Sequence, residues 1–427
     1  MYQEGKNLPK KKQKNTINAM VSRIKLSLIT KIILSVAAFG LLTTAMRFVV
    51  TSKTSLDVDF WIYWQAGRAL ILNGTSPYAD STTEIIQMGI FGRPALASED
   101  QLRYAYPPFS LLVIFPTVVM SYPWAQASWL TFNLCLITFS VFFLVKKVPL
   151  WLLAGLVFFY PISRGVILGQ FALMLGASLI FIYGMITRGE DKKIIWLYAA
   201  GFLMAWCCMK PHLTGLIVLF YLLWAFRDRY REILWGFLAG GACLLLLSFI
   251  MEPRWISEWL CVIRDYAGYI HYRPILRSWL SAIGIEWSFL LTKVIFALIT
   301  VTVAILLFVN WWRKRIPAYF VLGWLILVVE LVNPNQNSLL SDQILFLLPL
   351  LIWLMDQSIS GWIRGVTWGI FICVPWVLFL VFIDKSEPFQ IASGLAAIFG
   401  LWLITNFIVR LIGQFRSKTS IQAIPIE

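Results

Sequence analysis

Two carboxylates stand directly before a row of aromatic residues in the segment LDVDFWIYWQAGRALILNGTSPYAD, residues 56–80. Either Asp57 or Asp59 could cap the helix that follows, because an Asp side chain accepts backbone N–H bonds at a helix start. The capping role suits Asp57 better. A carboxylate that aromatic rings partly remove from water can instead act as a general base, since desolvation raises its proton affinity. We expect Asp59 to be such a base, and the two roles are compatible.

Basic and amide side chains recur later in the chain beside residues that break helices. In RYAYPPFS, two prolines hold Tyr106 in an extended conformation, and SRGVILGQF places Arg164 and Gln170 at a turn. MKPHLTG places Lys210 beside a proline, with no acid close to it in sequence. A lysine within a membrane protein needs an anionic partner, unless its side chain extends to the lipid headgroups.

A third polar group lies in ELVNPNQNSLLSDQ, where Glu330, Asn333, Asp342 and Gln343 surround a proline. Asn and Asp beside proline are also the composition of an ordinary turn. The chain shows no nucleophile motif, P-loop or Gly-rich dinucleotide loop, and its His, Cys and acidic residues lack metal-ligand spacing. We therefore expect no metal and no cofactor. The remaining basic groups, amides and one or two carboxylates suit a lipid-linked phosphate, whose charge Lys and Arg would hold.

The rest of the chain predicts an all-α polytopic membrane protein. Of its 427 residues 59% are apolar and 13% charged, and the mean hydropathy is +0.77. Apolar runs of helix length alternate with short polar links. We predict twelve transmembrane helices near 32–50, 124–145, 149–163, 168–187, 194–209, 211–226, 233–250, 284–309, 316–332, 339–355, 362–383 and 390–411.

Lys and Arg clusters between alternate helices mark the cytoplasmic side of the membrane. Both termini are then cytoplasmic, as a basic tail over 1–31 and a second tail over 414–427, around a single catalytic domain over 32–413. Two long loops, 51–123 and 251–283, lie outside. The net charge of +15 falls on the cytoplasmic segments, so nucleic acid is not needed to explain it. We expect a plasma-membrane protein with its active site on the extracytoplasmic face and membrane lipids around it.

The first outer loop contains two unusual segments. Residues 60–72 predict an amphipathic helix along the outer interface, which Asn73-Gly74 would end. Its apolar face contains Phe60, Tyr63 or Trp64, Gly67 and Ile71. Residues 107–122 are apolar but short and contain three prolines. A full crossing there would place the following basic clusters outside, so we predict a re-entrant or interface-lying segment.

Four segments, in order along the chain, resemble glycosyltransferase family 87: DFWIYWQAGRALILNGTSPY, YAYPPFSLLVIFP, LGQFALMLGASL and KPHLTGLIVLFYLLWAFRDRYRE. The resemblance covers about residues 56–232 and continues more loosely to the C-terminus. This family lies within the C-type superfamily of membrane glycosyltransferases and includes polyprenyl-phosphate-mannose-dependent mannosyltransferases. The resemblance implies a C-type architecture and transfer of a hexose, with mannose expected, from a polyprenyl phosphate to a hydroxyl of a lipid or glycan acceptor.

The resemblance also implies roles for individual residues. The acid of the family's Asp-Phe pair, taken as the catalytic base, corresponds to Asp59. Tyr106, Gln170 and Lys210 match later motifs by position, and we expect Arg164 to help Lys210 hold the donor phosphate.

Other donor-binding candidates follow from departures from the family pattern. Asp57 has no settled counterpart, and we do not assign it to a metal site. Where relatives have a late histidine, this chain reads NPNQNSLLSDQ, so Asp342, Gln343 or His271 would have to replace that contact. We expect Arg273 or Arg277 to assist at the phosphate.

Two other functions remain open at the level of sequence. Twelve helices and a Lys-Pro helix break would also serve a secondary transporter of a small solute, although the chain lacks the internal repeats typical of that class. The missing late histidine would also suit a lipid-binding envelope-assembly protein without catalysis.

Overall fold

The computed structural model describes residues 28–52, 58–145, 148–187, 194–269, 274–286, 290–333, 339–383 and 387–421. Within these ranges every regular element is a helix, as predicted. A helix satisfies its backbone N–H and C=O groups within one segment, and a lipid environment requires this.

The helices are numbered here in chain order. They are α1 (Leu28–Val49), α2 (Val58–Asn73), α3 (Asp80–Phe91), α4 (Tyr122–Leu144), α5 (Leu150–Phe158), α6 (Tyr160–Leu168), α7 (Phe171–Thr187), α8 (Ile194–Cys207), α9 (Pro211–Arg227), α10 (Arg231–Met251), α11 (Trp255–Tyr269), α12 (Ile275–Ala282), α13 (Leu290–Trp312), α14 (Ala318–Val332), α15 (Leu339–Asp342), α16 (Leu347–Leu354), α17 (Gly361–Phe382) and α18 (Glu387–Ile421). Two 3-10 helices, Pro108–Val113 and Phe115–Thr117, lie between α3 and α4, and a third, Gln343–Phe346, joins α15 to α16.

Six helices in the described part of the chain are long and apolar enough to cross a membrane: α1, α4, α10, α13, α17 and the Phe389–Arg410 part of α18. The other predicted crossings coincide with shorter apolar helices or with the broken pair α5–α6. The protein is therefore a multi-pass membrane protein, while the number of twelve crossings stays a prediction.

The helix predicted near 149–163 is broken in the structure into α5 and α6. Helices α5 and α6 meet at an angle of 49° around Phe159. Pro161 lies in the first turn of α6, where its missing N–H cannot continue the hydrogen bonds of α5. The predicted helix over 339–355 is likewise interrupted, by the 3-10 turn Gln343–Phe346.

Helix α2, Val58–Asn73, forms where the sequence predicts an amphipathic helix over 60–72. It ends at Asn73, and Gly74 adopts the positive φ of +62° that favours glycine. Phe60, Tyr63 and Trp64 on its predicted apolar face are buried, whereas Ile71 is exposed. The Trp64 indole N–H donates to the carbonyl of Thr117 at 3.0 Å. This face of α2 therefore packs against the protein, and its position along the membrane interface stays a prediction.

The proline-rich segment 107–122 folds mainly as two short 3-10 helices, and α4 begins at its last residue. Phe109 and Leu111 are buried, and the Phe109 N–H lies 3.3 Å from the hydroxyl of Ser248 in α10. This segment therefore packs against the bundle, while its depth in the bilayer stays a prediction.

Residues 251–283, which the sequence predicts as the second outer loop, contain helices α11 and α12. The Trp259 indole N–H donates to the carbonyl of Ala105 at 3.0 Å, which joins this segment to the one over 51–123. Of the candidate residues here, Arg277 lies on α12, whereas His271 and Arg273 lie outside the described residues.

Helices α8 and α10 pack closely through glycines. A Cβ atom on Gly201 would collide with the backbone of α10 around Ile233, and one on Gly236 would collide with the backbone of Tyr198. Such small residues let two helix backbones approach within a membrane, where lipid offers no hydrophobic drive for association. This pairing holds α8, the helix that precedes Lys210, against α10.

Candidate active site

Asp59 lies in the first turn of α2 and is partly exposed. The side-chain amide of Gln170 donates a hydrogen bond to its carboxylate. Burial raises the pKa of Asp59 to about 6, although the Gln170 bond and the charge of Lys210 oppose this shift. A carboxylate with this pKa is ionised at neutral pH and is a stronger base than an ordinary Asp.

Gln170 is held in place by the junction between α6 and α7. Gly169 takes a positive φ of +68°, and the backbone N–H of Gln170 donates to the carbonyl of Gly165 at 3.0 Å. The Tyr63 hydroxyl donates to the Gln170 side-chain oxygen at 3.5 Å, which is the long end of the hydrogen-bond range. With its oxygen accepting from Tyr63, the Gln170 amide is oriented to donate towards Asp59.

Tyr63 and Tyr106 form a second layer around the acid. Their hydroxyls are 3.3 Å apart, and the Tyr63 ring stacks on Phe171 with ring centroids 4.0 Å apart. The Tyr78 hydroxyl donates to the backbone carbonyl of Tyr106 at 2.6 Å. Burial raises the pKa of Tyr63 and of Tyr106, so both remain neutral hydroxyls. Tyr106 therefore lies close enough to Asp59 for the charge of that acid to act on it.

Lys210 has an acidic partner that is remote in sequence. Its Nζ lies 2.6 Å from Oδ1 of Asp342, and the two side chains are only 3% and 0% exposed. The Asn333 amide donates to the other carboxylate oxygen at 3.1 Å. The fold therefore supplies the acid that the sequence around Lys210 lacks. The charge of Lys210 still acts on Asp59, since it is among the causes that lower the pKa of Asp59.

Glu330 adds an acid to this cluster that is absent from the predicted set of site residues. It is completely buried on α14, and neither carboxylate oxygen has a hydrogen-bond partner among the described residues. Asp342 and Lys210 are its charged neighbours. Burying a carboxylate without a hydrogen-bond partner costs free energy. The described residues of this cluster therefore leave the hydrogen-bonding capacity of Glu330 unsatisfied.

The remaining predicted residues have different surroundings. The Gln343 amide donates to the carbonyl of Ala392 at 2.8 Å, which ties the 3-10 turn to α18. Arg164 lies on α6, where its buried Nε finds no hydrogen-bond partner in the described part of the chain. Arg277 is exposed on α12, and Asp57 lies outside the described residues.

The structure thus brings together five of the predicted residues: Asp59, Tyr106, Gln170, Lys210 and Asp342. Sequence reasoning missed the hydroxyl of Tyr63 as a link between Gln170 and Tyr106. Its spacing of four residues from Asp59, one helical turn, was the available signal. Chemically, the arrangement offers a base, an amide that orients it and a lysine whose charge acts on the base.

Comparison with known proteins assigns the chain to a protein family. The model of glycosyltransferase family 87 matches residues 104–334, which is more than half of the chain. The match includes Tyr106, Arg164, Gln170 and Lys210, but it begins after Asp59 and ends before Asp342. A search of curated proteins and a search of solved structures each found no match. On the strength of the family match, the chain belongs to glycosyltransferase family 87 and is a membrane glycosyltransferase.

Proposed function

We propose that this glycosyltransferase moves a hexose, specifically mannose, from a polyprenyl-phosphate donor to a hydroxyl of a lipid or glycan acceptor. The reaction is proposed to occur at the extracytoplasmic face of the plasma membrane. Family membership supports the transfer of a sugar. A donor with a lipid tail suits a site at the ends of membrane helices, because the tail can remain among the acyl chains.

The observation that carries the mechanism is the setting of Asp59, a partly exposed acid with a pKa of about 6 beside the oriented amide of Gln170. In the proposed step, the Asp59 carboxylate takes the proton of the acceptor hydroxyl. The acceptor oxygen then forms a bond to the anomeric carbon while the bond from that carbon to the phosphate oxygen breaks. The phosphate leaves with the electron pair, and the anomeric centre is inverted.

The donor phosphate requires positive charge close to this acid. Lys210 is already paired with Asp342, so a phosphate would join or displace that carboxylate. Arg164, with a buried Nε that no described residue accepts from, is the second proposed phosphate ligand. Positioning and stabilisation of the leaving phosphate would supply most of the rate enhancement.

The test uses membranes containing the full chain and polyprenyl-phosphate donors carrying labelled mannose or labelled glucose. We expect transfer from the mannose donor, and a loss of about 10²-fold or more in Asp59→Asn, because removal of a general base has roughly that effect. Asp80→Asn is the matched control. Asp80 lies in the same outer loop, is 81% exposed and pairs with Arg103 at the surface.

Equal turnover in wild type and Asp59→Asn would refute the assignment of the base. Transfer from the glucose donor alone would refute mannose as the sugar. Movement of a solute across the membrane without consumption of either donor would favour the transporter instead.

A further inference from the structure

The helices that lead away from the candidate active site surround a cavity at their opposite ends. Helix α9 begins beside Lys210 and ends at Arg227, and α7 begins beside Gln170 and ends at Thr187. Helix α14 runs the other way, from Ala318 towards Glu330. With 15 to 17 residues, these helices are about 23 to 26 Å long. A cavity of about 500 Å³ lies at these far ends, at the end of the bundle that the sequence assigns to the cytoplasm.

The cavity is positively charged. Among the residues that line it are four basic side chains and one acid: Arg227, Lys314, Arg315, Arg410 and Asp228. Helices α7, α9 and α13 end here and α14 begins here, so their dipoles contribute about −1 elementary charge. The lining side chains carry a net charge of +3, which exceeds the negative charge contributed by the helix dipoles.

The side chain of Arg227, one of the four basic residues of the lining, is positioned by contacts with the cavity wall. The Arg227 guanidinium carbon lies 3.7 Å from the centre of the Trp311 ring, and Nε of Arg227 donates to Asp228 at 2.8 Å. The Trp224 indole N–H donates to the same carboxylate at 2.9 Å. Asp228 is thus engaged by Arg227 and Trp224. Lys314, Arg315 and Arg410 bring three more positive charges to the lining.

Two further cations are placed by the turn that ends α13. Lys314 adopts a positive φ of +57°, and its backbone N–H donates to the carbonyl of Trp311 at 2.8 Å. The N–H of Arg315 donates to the carbonyl of Asn310 at 2.9 Å. This is a helix C-cap in which a left-handed residue reverses the chain. It places two successive basic side chains at the rim of the cavity.

We propose that this cavity binds a phosphate group, carried either by an anionic phospholipid headgroup or by a soluble phosphate. Guanidinium groups pair with phosphate oxygens in a bidentate geometry, and basic pockets between membrane helices suit anionic headgroups. A volume of about 500 Å³ is in the range of small-ligand sites. The site lies the length of α9 from Asp59 and does not depend on the proposed sugar transfer.

The test uses full-length protein released from nanodiscs that contain phosphatidylcholine and phosphatidylglycerol. Native mass spectrometry then measures how much phosphatidylglycerol the protein retains. Lys314→Gln/Arg315→Gln removes two lining charges. We expect binding to weaken by about tenfold per charge, or roughly 100-fold, since a hydrogen bond to a charged group contributes about 1.5 kcal/mol or more. Arg229→Gln/Arg313→Gln is the matched control. It removes the same charge from exposed positions on the neighbouring turns outside the lining, and Arg229 also has a positive φ of +59°.

A second arm titrates inorganic phosphate into the same protein. Competition with the retained phosphatidylglycerol would identify a soluble phosphate as a ligand of the site, whereas retention unaffected by phosphate would identify the lipid headgroup. An equal loss of binding in the two double variants would overturn the proposal, because it would show only general attraction to an anionic surface. Binding of neither probe would also overturn it.

Discussion

The two ends of α9 place a basic residue beside an acid in opposite settings. At one end Lys210 and Asp342 are 3% and 0% exposed, and at the other Arg227 and Asp228 are 12% and 28% exposed. Burying an ion pair makes each partner dependent on the other, because removing one leaves an uncompensated charge in a medium of low polarity. A pair near the surface can change partners at little cost. The buried end is therefore suited to precise chemistry and the shallow end to reversible binding of an anion.

Removing the buried lysine is the largest expected effect. Lys210→Met should lower the free energy of unfolding by about 3–5 kcal/mol, because the buried Asp342 would lose its cationic partner. The measurement is the midpoint of thermal unfolding in detergent. The double variant Lys210→Met/Asp342→Leu removes both charges and should regain most of the loss. If the single and double variants lost equal stability, the buried pair would not be the cause.

The pH dependence of sugar transfer tests the role of Asp59 as the base. Asp59 acts as a base only when ionised, so with its pKa at about 6 activity should fall about tenfold per pH unit as pH drops below 6. The Gln170 hydrogen bond lowers this pKa. Gln170→Leu should therefore raise it and move the fall in activity to higher pH.

The pH profile of kcat/KM checks this prediction, because it reports the free enzyme. Gln357→Leu, an exposed glutamine beyond α16, is the control and should leave the profile unchanged. A profile of Gln170→Leu that superimposes on that of wild type would contradict the role given to the amide.

The same type of substitution at the shallow end of α9 should have the smallest effect. Arg227→Met loses a partly exposed ion pair and a cation–π contact at 3.7 Å, so we expect a cost of about 1 kcal/mol. Thermal unfolding under the conditions used for Lys210→Met provides the comparison. A loss as large as that of Lys210→Met would remove the distinction between the two ends.

Local sequence was enough to predict many of the helices but not their breaks. Apolar runs bounded by basic clusters coincide with helices such as α4 and α10, and Asn73-Gly74 ends α2 as predicted. The bend at Phe159 was missed although Pro161 signals it. The 3-10 turn Gln343–Phe346 carries no proline or glycine, so it follows from packing and could not be read from the chain.

For the candidate site, sequence predicted which residues lie together better than it predicted their pairing. Asp59, Gln170 and Lys210 each lie at or beside a helix end, and they interact in the structure. The partner of Lys210 is 132 residues away, and a contact at that separation depends on how helices pack. For the same reason, the sequence names Asp342 as a candidate donor-binding residue but does not reveal its ion pair with Lys210.

The bundle has a shorter centre than its periphery. Helices α7 and α14, which are mostly buried, have 17 and 15 residues, whereas α4, α10, α13 and α17 have 21 to 23. At 1.5 Å per residue these two helices are shorter than the other four by about 6 to 12 Å. A helix shielded from lipid by its neighbours does not have to match the thickness of the hydrocarbon core, whereas a lipid-facing helix does. Polar side chains such as Gln170, directly before α7, and Glu330, in the last turn of α14, can therefore lie at the ends of short helices without contacting lipid.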